Sequence, residues 1–80
     1  MQLTSMSKEN LQEIDSLSRR EMQVITLLAD GQTKQGISQH LSIARTTVAT
    51  HVRHIFQKLR VSNVHGAVGR AFRFGILSLD

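Results

Sequence analysis

Hydrophobic residues recur every three or four positions in four separate segments of the chain, which is the pattern of amphipathic helices. The first segment opens with a capping box, since Ser18 is followed three residues later by Glu21. Leu17 and Met22 can form a hydrophobic staple around that cap. Gly31 can adopt the positive φ typical of a helix end. We therefore predict a first helix over about 19–30. Its expected apolar residues are Met22, Ile25, Leu28 and Ala29.

The next two segments have the spacing of a helix-turn-helix. Thr33 can cap a second helix over about 34–41, and a break of three residues separates it from a third helix over about 45–60. A fourth helix is predicted over about 64–74, with Gly75 at its end. No segment shows the alternation expected of a strand, so the sequence predicts an all-α fold of four helices.

The third helix has two different faces. At 100° per residue, one face is an apolar stripe that we expect to pack in the core, made of Val48, Val52, Ile55 and Leu59. The opposite side carries Thr46, Thr50, Arg53 and Gln57, flanked by Ala49. The side chains on this side are small near the N-terminus of the helix, and a basic one follows further along.

Length and composition limit the chain to one small domain. Its 80 residues allow a modest core, and the polar residues 1–16 are expected to be a flexible N-terminal arm or linker before a domain over 17–80. Cysteine is absent, and no apolar run approaches the ~18 residues that cross a bilayer. A secretory signal pattern is also missing, so we expect a cytoplasmic protein without a membrane partner.

Charge divides the chain into two halves. Residues 1–30 hold three basic and five acidic side chains, whereas residues 31–79 hold seven basic side chains and no acidic one. Such an asymmetry creates a positive potential that attracts polyanions. An excess of basic residues alone is weak evidence for nucleic-acid binding, because a basic surface that is merely well solvated has the same composition.

The polar side of the third helix makes the nucleic-acid interpretation more specific. A DNA major groove about 12 Å wide admits one helix whose leading face carries no carboxylate. Small side chains let the backbone approach base edges, and Arg53 can form a bidentate contact with guanine. Basic residues around this face would contact phosphates and give affinity without sequence information. The candidates for those phosphate contacts are Lys34, Arg45, Lys58 and Arg60.

A family resemblance rests on a series of motifs. They are LSRRE at 17–21, Val24, LLADG at 27–31, Lys34, Ile37, Leu41, Ile43, Thr47-Val48, His51-Val52, Ile55, Lys58-Leu59, Val61 and Asn63. Over about residues 17–77 this pattern resembles the LuxR-type (GerE-type) helix-turn-helix DNA-binding domain. The resemblance implies a four-helix fold related to winged-helix domains but without a wing, in a bacterial transcription regulator that binds promoter or operator DNA.

The resemblance also implies roles for individual residues. Base contacts would fall on Ala49, Thr50 and Arg53, and phosphate contacts on Lys34, Thr46, Thr47 and Lys58. The fourth helix would support a homodimer, through Val64, His65, Val68 and Phe72. Several positions depart from the family pattern, including Gly36, Ala44 and Ala49. These departures affect the expected operator more than the expected fold.

The sequence leaves one alternative function open and argues against others. The wide apolar arc of the fourth helix fits a dimer interface, but it equally fits a last helix that packs over the core. A protein-interaction module of the same fold, which binds another regulator, is the alternative function. His51 and His54 lie one turn apart without further ligands, so no metal is expected. No cofactor is expected either, and no small-molecule ligand, because the sequence shows no sensing domain. The sequence also lacks a nucleophile–base pair or phosphate loop, which argues against an enzyme.

Overall fold

The structure, a computed structural model, describes residues 16–78. Within that range it contains four helices and no strand: α1 (Arg19–Ala29), α2 (Lys34–Leu41), α3 (Arg45–Leu59) and α4 (Val64–Arg73). The all-α prediction is confirmed, and each predicted helix boundary lies within one residue of the observed one. The arm predicted over 1–16 lies, apart from Ser16, outside the described residues.

Side-chain caps explain where three of the helices begin. The Ser18 hydroxyl accepts the Glu21 N–H at 3.1 Å, and the Glu21 carboxylate accepts the Ser18 N–H at 2.9 Å, so the predicted capping box is present. The Thr33 hydroxyl accepts a backbone N–H at the start of α2, and the side-chain carbonyl of Asn63 does the same for α4. These bonds satisfy amide groups that a helix leaves without partners in its first turn.

The turn between α2 and α3 is tight because its backbone becomes left-handed at one residue. Ser42 has φ 57° and ψ 46°, and the next amide, that of Ile43, donates to the Ser38 carbonyl at 3.0 Å. This geometry ends α2 and turns the chain within three residues. It therefore places the N-terminus of α3 close to α2, as a helix-turn-helix requires.

The hydrophobic core lies around α3, which packs against the other three helices. Its predicted apolar stripe is buried, since Val48, Ile55 and Leu59 are fully buried and Val52 is 4% exposed. The other helices contribute the remaining core side chains, which are Val24, Ile25, Leu28, Ile37, Ala67 and Ala71. The core thus holds α3 by one face and leaves its opposite face outside.

One part of the predicted core is wrong. Met22 is 40% exposed and Ala29 is also exposed, whereas Val24 is fully buried. The buried stripe of α1 begins at Glu21, which is 4% exposed, and continues one turn later at Val24. The pattern of apolar residues assigns position 21 to solvent, but the Glu21 carboxylate is buried there. The observed buried face of α1 is therefore rotated by about one residue from the predicted face.

No helix among residues 16–78 is long and apolar enough to cross a membrane.

Candidate nucleic-acid interface

The outer face of α3 is the side opposite its core stripe, defined by Thr46, Ala49, Thr50, Arg53 and Gln57. Its members at positions 46, 53 and 57 are exposed, and those at 49 and 50 are half-buried. No described segment of the chain covers this face as the core covers the other. The structure therefore brings together on one accessible surface the residues that the sequence assigned to base contacts.

The N-terminal half of this face is compact. The Thr50 hydroxyl donates to the Thr46 carbonyl at 3.1 Å, one helical turn earlier. That bond uses the hydroxyl proton inside the helix, so the oxygen remains an acceptor, suited to a base amino group rather than to a phosphate. Together with the methyl of Ala49, this leaves a shallow surface that a groove can approach closely.

The first turn of α3 is open to an anion. Its N-cap residue, Ala44, provides no side-chain hydrogen bond, and its first turn contains no acidic residue. Helix N-termini carry a partial positive charge, and phosphates bind there through backbone N–H groups. Thr47 and the basic Arg45 are exposed in this same turn. The start of α3 therefore combines backbone donors, a hydroxyl and a cation.

The charge around the interface is strongly one-sided. Residues 16–78 contain nine Lys and Arg side chains but only two carboxylates, those of Glu21 and Asp30, and both lie on or next to α1. Lys34 is exposed in the first turn of α2, which also lacks an acidic residue. No carboxylate of the described chain lies on α2, α3 or α4, so the surface around the outer face of α3 is positive.

Lys58, which the sequence assigned to a phosphate, has a protein partner. Its ammonium lies 2.7 Å from Oε1 of Glu21, and its side chain is 29% exposed. Nδ1 of His54 lies 3.9 Å from Oε2 of the same carboxylate. The sequence predicts Glu21 only as a cap, and the contact between these residues, 37 positions apart, is not among its predictions.

The Glu21 carboxylate is held in its charged form despite its burial. Burial raises the pKa of Glu21, but the hydrogen bonds from Lys58 and from the Ser18 backbone, with the charge of Lys58, bring it below its ordinary value. An ionised carboxylate therefore joins the start of α1 to the last turn of α3. The sequence signal for this contact is the position of Glu21 on the buried stripe of α1, one turn before Val24 and Ile25.

The surface of α4 separates into two sides. Ala67 and Ala71 are fully buried against the core, whereas Val64 and Phe72 are 39% and 37% exposed. Val68 is half-buried between them, and His65 is exposed. The apolar arc therefore packs on the core through its small residues and leaves larger apolar side chains on the surface. Packing over the core and a free apolar surface, the two roles expected of this helix, are thus compatible.

Comparisons with known proteins agree with this architecture. The family described as "Bacterial regulatory proteins, luxR family" matches residues 15–71. The HTH-type transcriptional regulator MalT of Vibrio campbellii is 40% identical over 52 residues, 65% of this chain and 6% of MalT. MalT of Yersinia pestis (strain Pestoides F) is 40% identical over 57 residues, 71% of this chain and again 6% of the relative. The chain thus matches a small part of these curated relatives.

Two solved structures have a similar fold. The structure of the transcription factor GerE has a TM-score of 0.75 and 37% identity, and the alignment covers 82% of this chain and all of GerE. The response regulator ChrA, from a heme-sensing two-component system, has a TM-score of 0.76 and 32% identity, over 79% of this chain and 31% of ChrA. The four-helix arrangement is therefore the same as that of known helix-turn-helix domains.

Proposed function

Because this chain belongs to the luxR family of bacterial regulatory proteins, which are not enzymes, we propose that it binds double-stranded DNA at a promoter or operator and regulates transcription. The observation that supports this most is the outer face of α3. It is accessible, contains Arg53, lacks any carboxylate and lies directly opposite a fully packed core stripe. In this proposal α3 lies in the major groove and the protein acts on DNA in the bacterial cytoplasm.

The proposal divides the contacts into two groups. Ala49, Thr50 and Arg53 face base edges, with the guanidinium as the main source of discrimination. The phosphate contacts come from the first turns of α2 and α3, where backbone N–H groups, hydroxyls and cations lie together. These are Lys34, Arg45, Thr46 and Thr47.

We also propose that two copies bind together through α4. Val64 and Phe72 are exposed apolar side chains next to the exposed His65 and the half-buried Val68, and they supply a surface for a symmetric contact. Such a dimer would contact two half-sites about one helical turn of DNA apart.

Selection of binding sites from random duplexes tests this function. The protein should enrich a motif with two related half-sites, and its affinity should fall steeply when the salt concentration is raised, because phosphate contacts release counterions. The selection is repeated at two salt concentrations with the same chain. Failure to retain any duplex in low salt would contradict DNA binding.

An interaction module that binds another regulator is the alternative function, and the exposed apolar side chains of α4 are the feature that favours it. It predicts association through Val64 and Phe72 without enrichment of any DNA motif. The absence of carboxylates on α2, α3 and α4 supports the DNA-binding proposal instead, because a protein-binding surface has no general reason to exclude them.

A further inference from the structure

The contact between Glu21 and Lys58 is a short ion pair that joins two helices, α1 and α3. Oε1 of Glu21 accepts both the Lys58 ammonium, at 2.7 Å, and the Ser18 N–H, at 2.9 Å. The carboxylate is 5% exposed in its side chain, so water contributes little to its solvation. An isolated charge in such a place is unfavourable, and the paired one depends on Lys58 remaining where it is.

The two partners belong to different parts of the fold. Glu21 lies in the first turn of α1, whereas Lys58 lies in the last turn of α3, five residues beyond Arg53. The neighbouring Leu59 is fully buried and fixes the same turn by packing. A directional bond added to that packing restrains the rotation of α3 about its own axis, and this rotation determines where its outer face points.

Competition with a phosphate would be costly for this lysine. If the Lys58 ammonium moved to DNA, it would leave the Glu21 carboxylate buried with the Ser18 N–H and the half-exposed His54 as its remaining partners. The gain from one phosphate contact at a solvated surface is small, because salt screens it. The balance favours the internal bond.

We propose that Glu21 and Lys58 are positioning residues, which orient α3 for base contacts, and that Lys58 makes no phosphate contact. This inference rests on the proposed DNA-binding function. It changes the role of Lys58, which its charge and its position in the family motif assign to a contact with the DNA backbone. It also gives Glu21, which cannot approach a phosphate, a role in sequence discrimination.

The test compares Glu21→Gln and Lys58→Met with the unmodified chain, using the enriched duplex and a random duplex over a range of salt concentrations. Each variant should lower the ratio of specific to non-specific affinity by about tenfold, the order expected when one bidentate base contact is lost. The double variant should fall no further, because both single changes remove the same bond. Lys58→Arg should restore much of the ratio.

The salt dependence separates positioning from direct contact. Loss of one phosphate contact lowers the slope of log K against log salt by about 0.9. Lys34→Ala should show that change, and Lys58→Met should leave the slope unaltered. A slope that falls by about 0.9 for Lys58→Met, or an unchanged specificity ratio for both Glu21→Gln and Lys58→Met, would overturn the proposal.

Two controls distinguish the positioning of α3 from a general loss of stability. Ser18→Ala removes the hydroxyl cap of α1 but keeps the Glu21–Lys58 bond, so it should lower stability without changing the specificity ratio. Amide hydrogen exchange without DNA should show faster exchange at residues 53–59 in both Glu21→Gln and Lys58→Met. If the unmodified chain bound no duplex, the proposed function would fail, and the exchange result would still decide whether this bond holds α3. Unchanged exchange there would overturn the inference.

Discussion

Arg53 shows how one residue can be assigned a role from its place on a helix. Its neighbour Val52 is 4% exposed and Ile55, two positions later, is fully buried, while Arg53 itself is exposed on the outer face of α3. The core therefore fixes the backbone beneath this side chain and leaves the guanidinium outside. Its planar group of donors matches the two acceptors that guanine presents in the major groove.

Arg53→Ala should weaken specific binding by about 1–3 kcal/mol and relax the preference at one base position, because a bidentate contact is lost. Competition between duplexes that differ at single positions measures this. Arg20→Ala is the matched control, since that arginine is exposed on α1 and is not one of the residues that form the outer face of α3. An unchanged base preference at every position would contradict the assigned role.

Glu21 makes the stability of the fold depend on pH. Burial raises the pKa of its carboxyl, but the Lys58 and Ser18 hydrogen bonds outweigh it, so the folded pKa lies below the unfolded one. A lowered folded pKa stabilises the protein above the unfolded value of about 4.3, and this stabilisation is lost as the pH falls through the folded pKa. Other groups add their own dependence, so a variant must isolate this one.

Glu21→Gln should therefore be less stable than the unmodified chain at neutral pH, by about 1–2 kcal/mol, because a hydrogen bond to a charged group is weakened. The difference should begin to shrink below about pH 4.3, where the carboxyl of the unfolded chain becomes protonated, and should be lost as the pH falls through the lower pKa of the folded chain. Urea denaturation of both proteins from about pH 7 to about pH 2.5 measures the two curves across that range. A difference that stays constant with pH would show that the charge of Glu21 contributes nothing.

Among the helices, α3 differs from the others in how it begins. The N-cap residues of α1, α2 and α4 each accept a backbone N–H through a side chain, whereas Ala44 of α3 cannot. An uncapped N-terminus is less stable by about 1 kcal/mol. The same feature leaves its amide groups available to a phosphate, so the helix proposed to contact DNA is the one with an open N-terminus.

Ala44→Ser should raise the free energy of unfolding by about 1 kcal/mol, since a serine hydroxyl can accept an N–H in the first turn of α3. Thr33→Ala is the opposite control and should lower it by about the same amount, because its hydroxyl already caps α2 at 3.0 Å. Chemical denaturation without DNA measures both. No gain for Ala44→Ser, with the expected loss for Thr33→Ala, would show that the α3 terminus lacks the geometry for a cap.

At the level of whole helices the sequence was a good guide, and its errors have physical causes. Local signals such as the Ser18–Glu21 capping box and the cap at Thr33 predicted where helices begin to within one residue. The buried face of α1 was misassigned because periodicity counts apolar residues, and this stripe includes a carboxylate. The place of Glu21 on the buried stripe indicates that its carboxylate needs a partner, but nothing local in the sequence identifies Lys58, 37 positions away, as that partner. The outer face of α3 could be predicted since its core stripe is regular.

Across the whole molecule, the positive surface proposed to contact DNA and the apolar surface proposed to contact a second copy have different compositions. Positive charge without carboxylates lies on α2, α3 and α4, whereas both acidic residues among positions 16–78 belong to α1 or the turn after it. Exposed large apolar side chains in that range are limited to Met22, Val64 and Phe72. Two of these three lie on α4, which supports the proposal that this helix, rather than α1, would contact a second copy.

The double substitution Val64→Ser and Phe72→Ser should prevent pairing on DNA while leaving the fold intact, because both side chains are more than one-third exposed and the core contacts of α4 come from its alanines. Sedimentation with a duplex that carries two half-sites should then show one protein copy bound where the unmodified chain shows two, and affinity for the full site should approach that for a half-site. Met22→Ser is the matched control, since Met22 is exposed to the same degree on α1. If the double variant still bound as a pair, or if Met22→Ser disrupted pairing equally, the dimer contact would have to lie elsewhere than on α4.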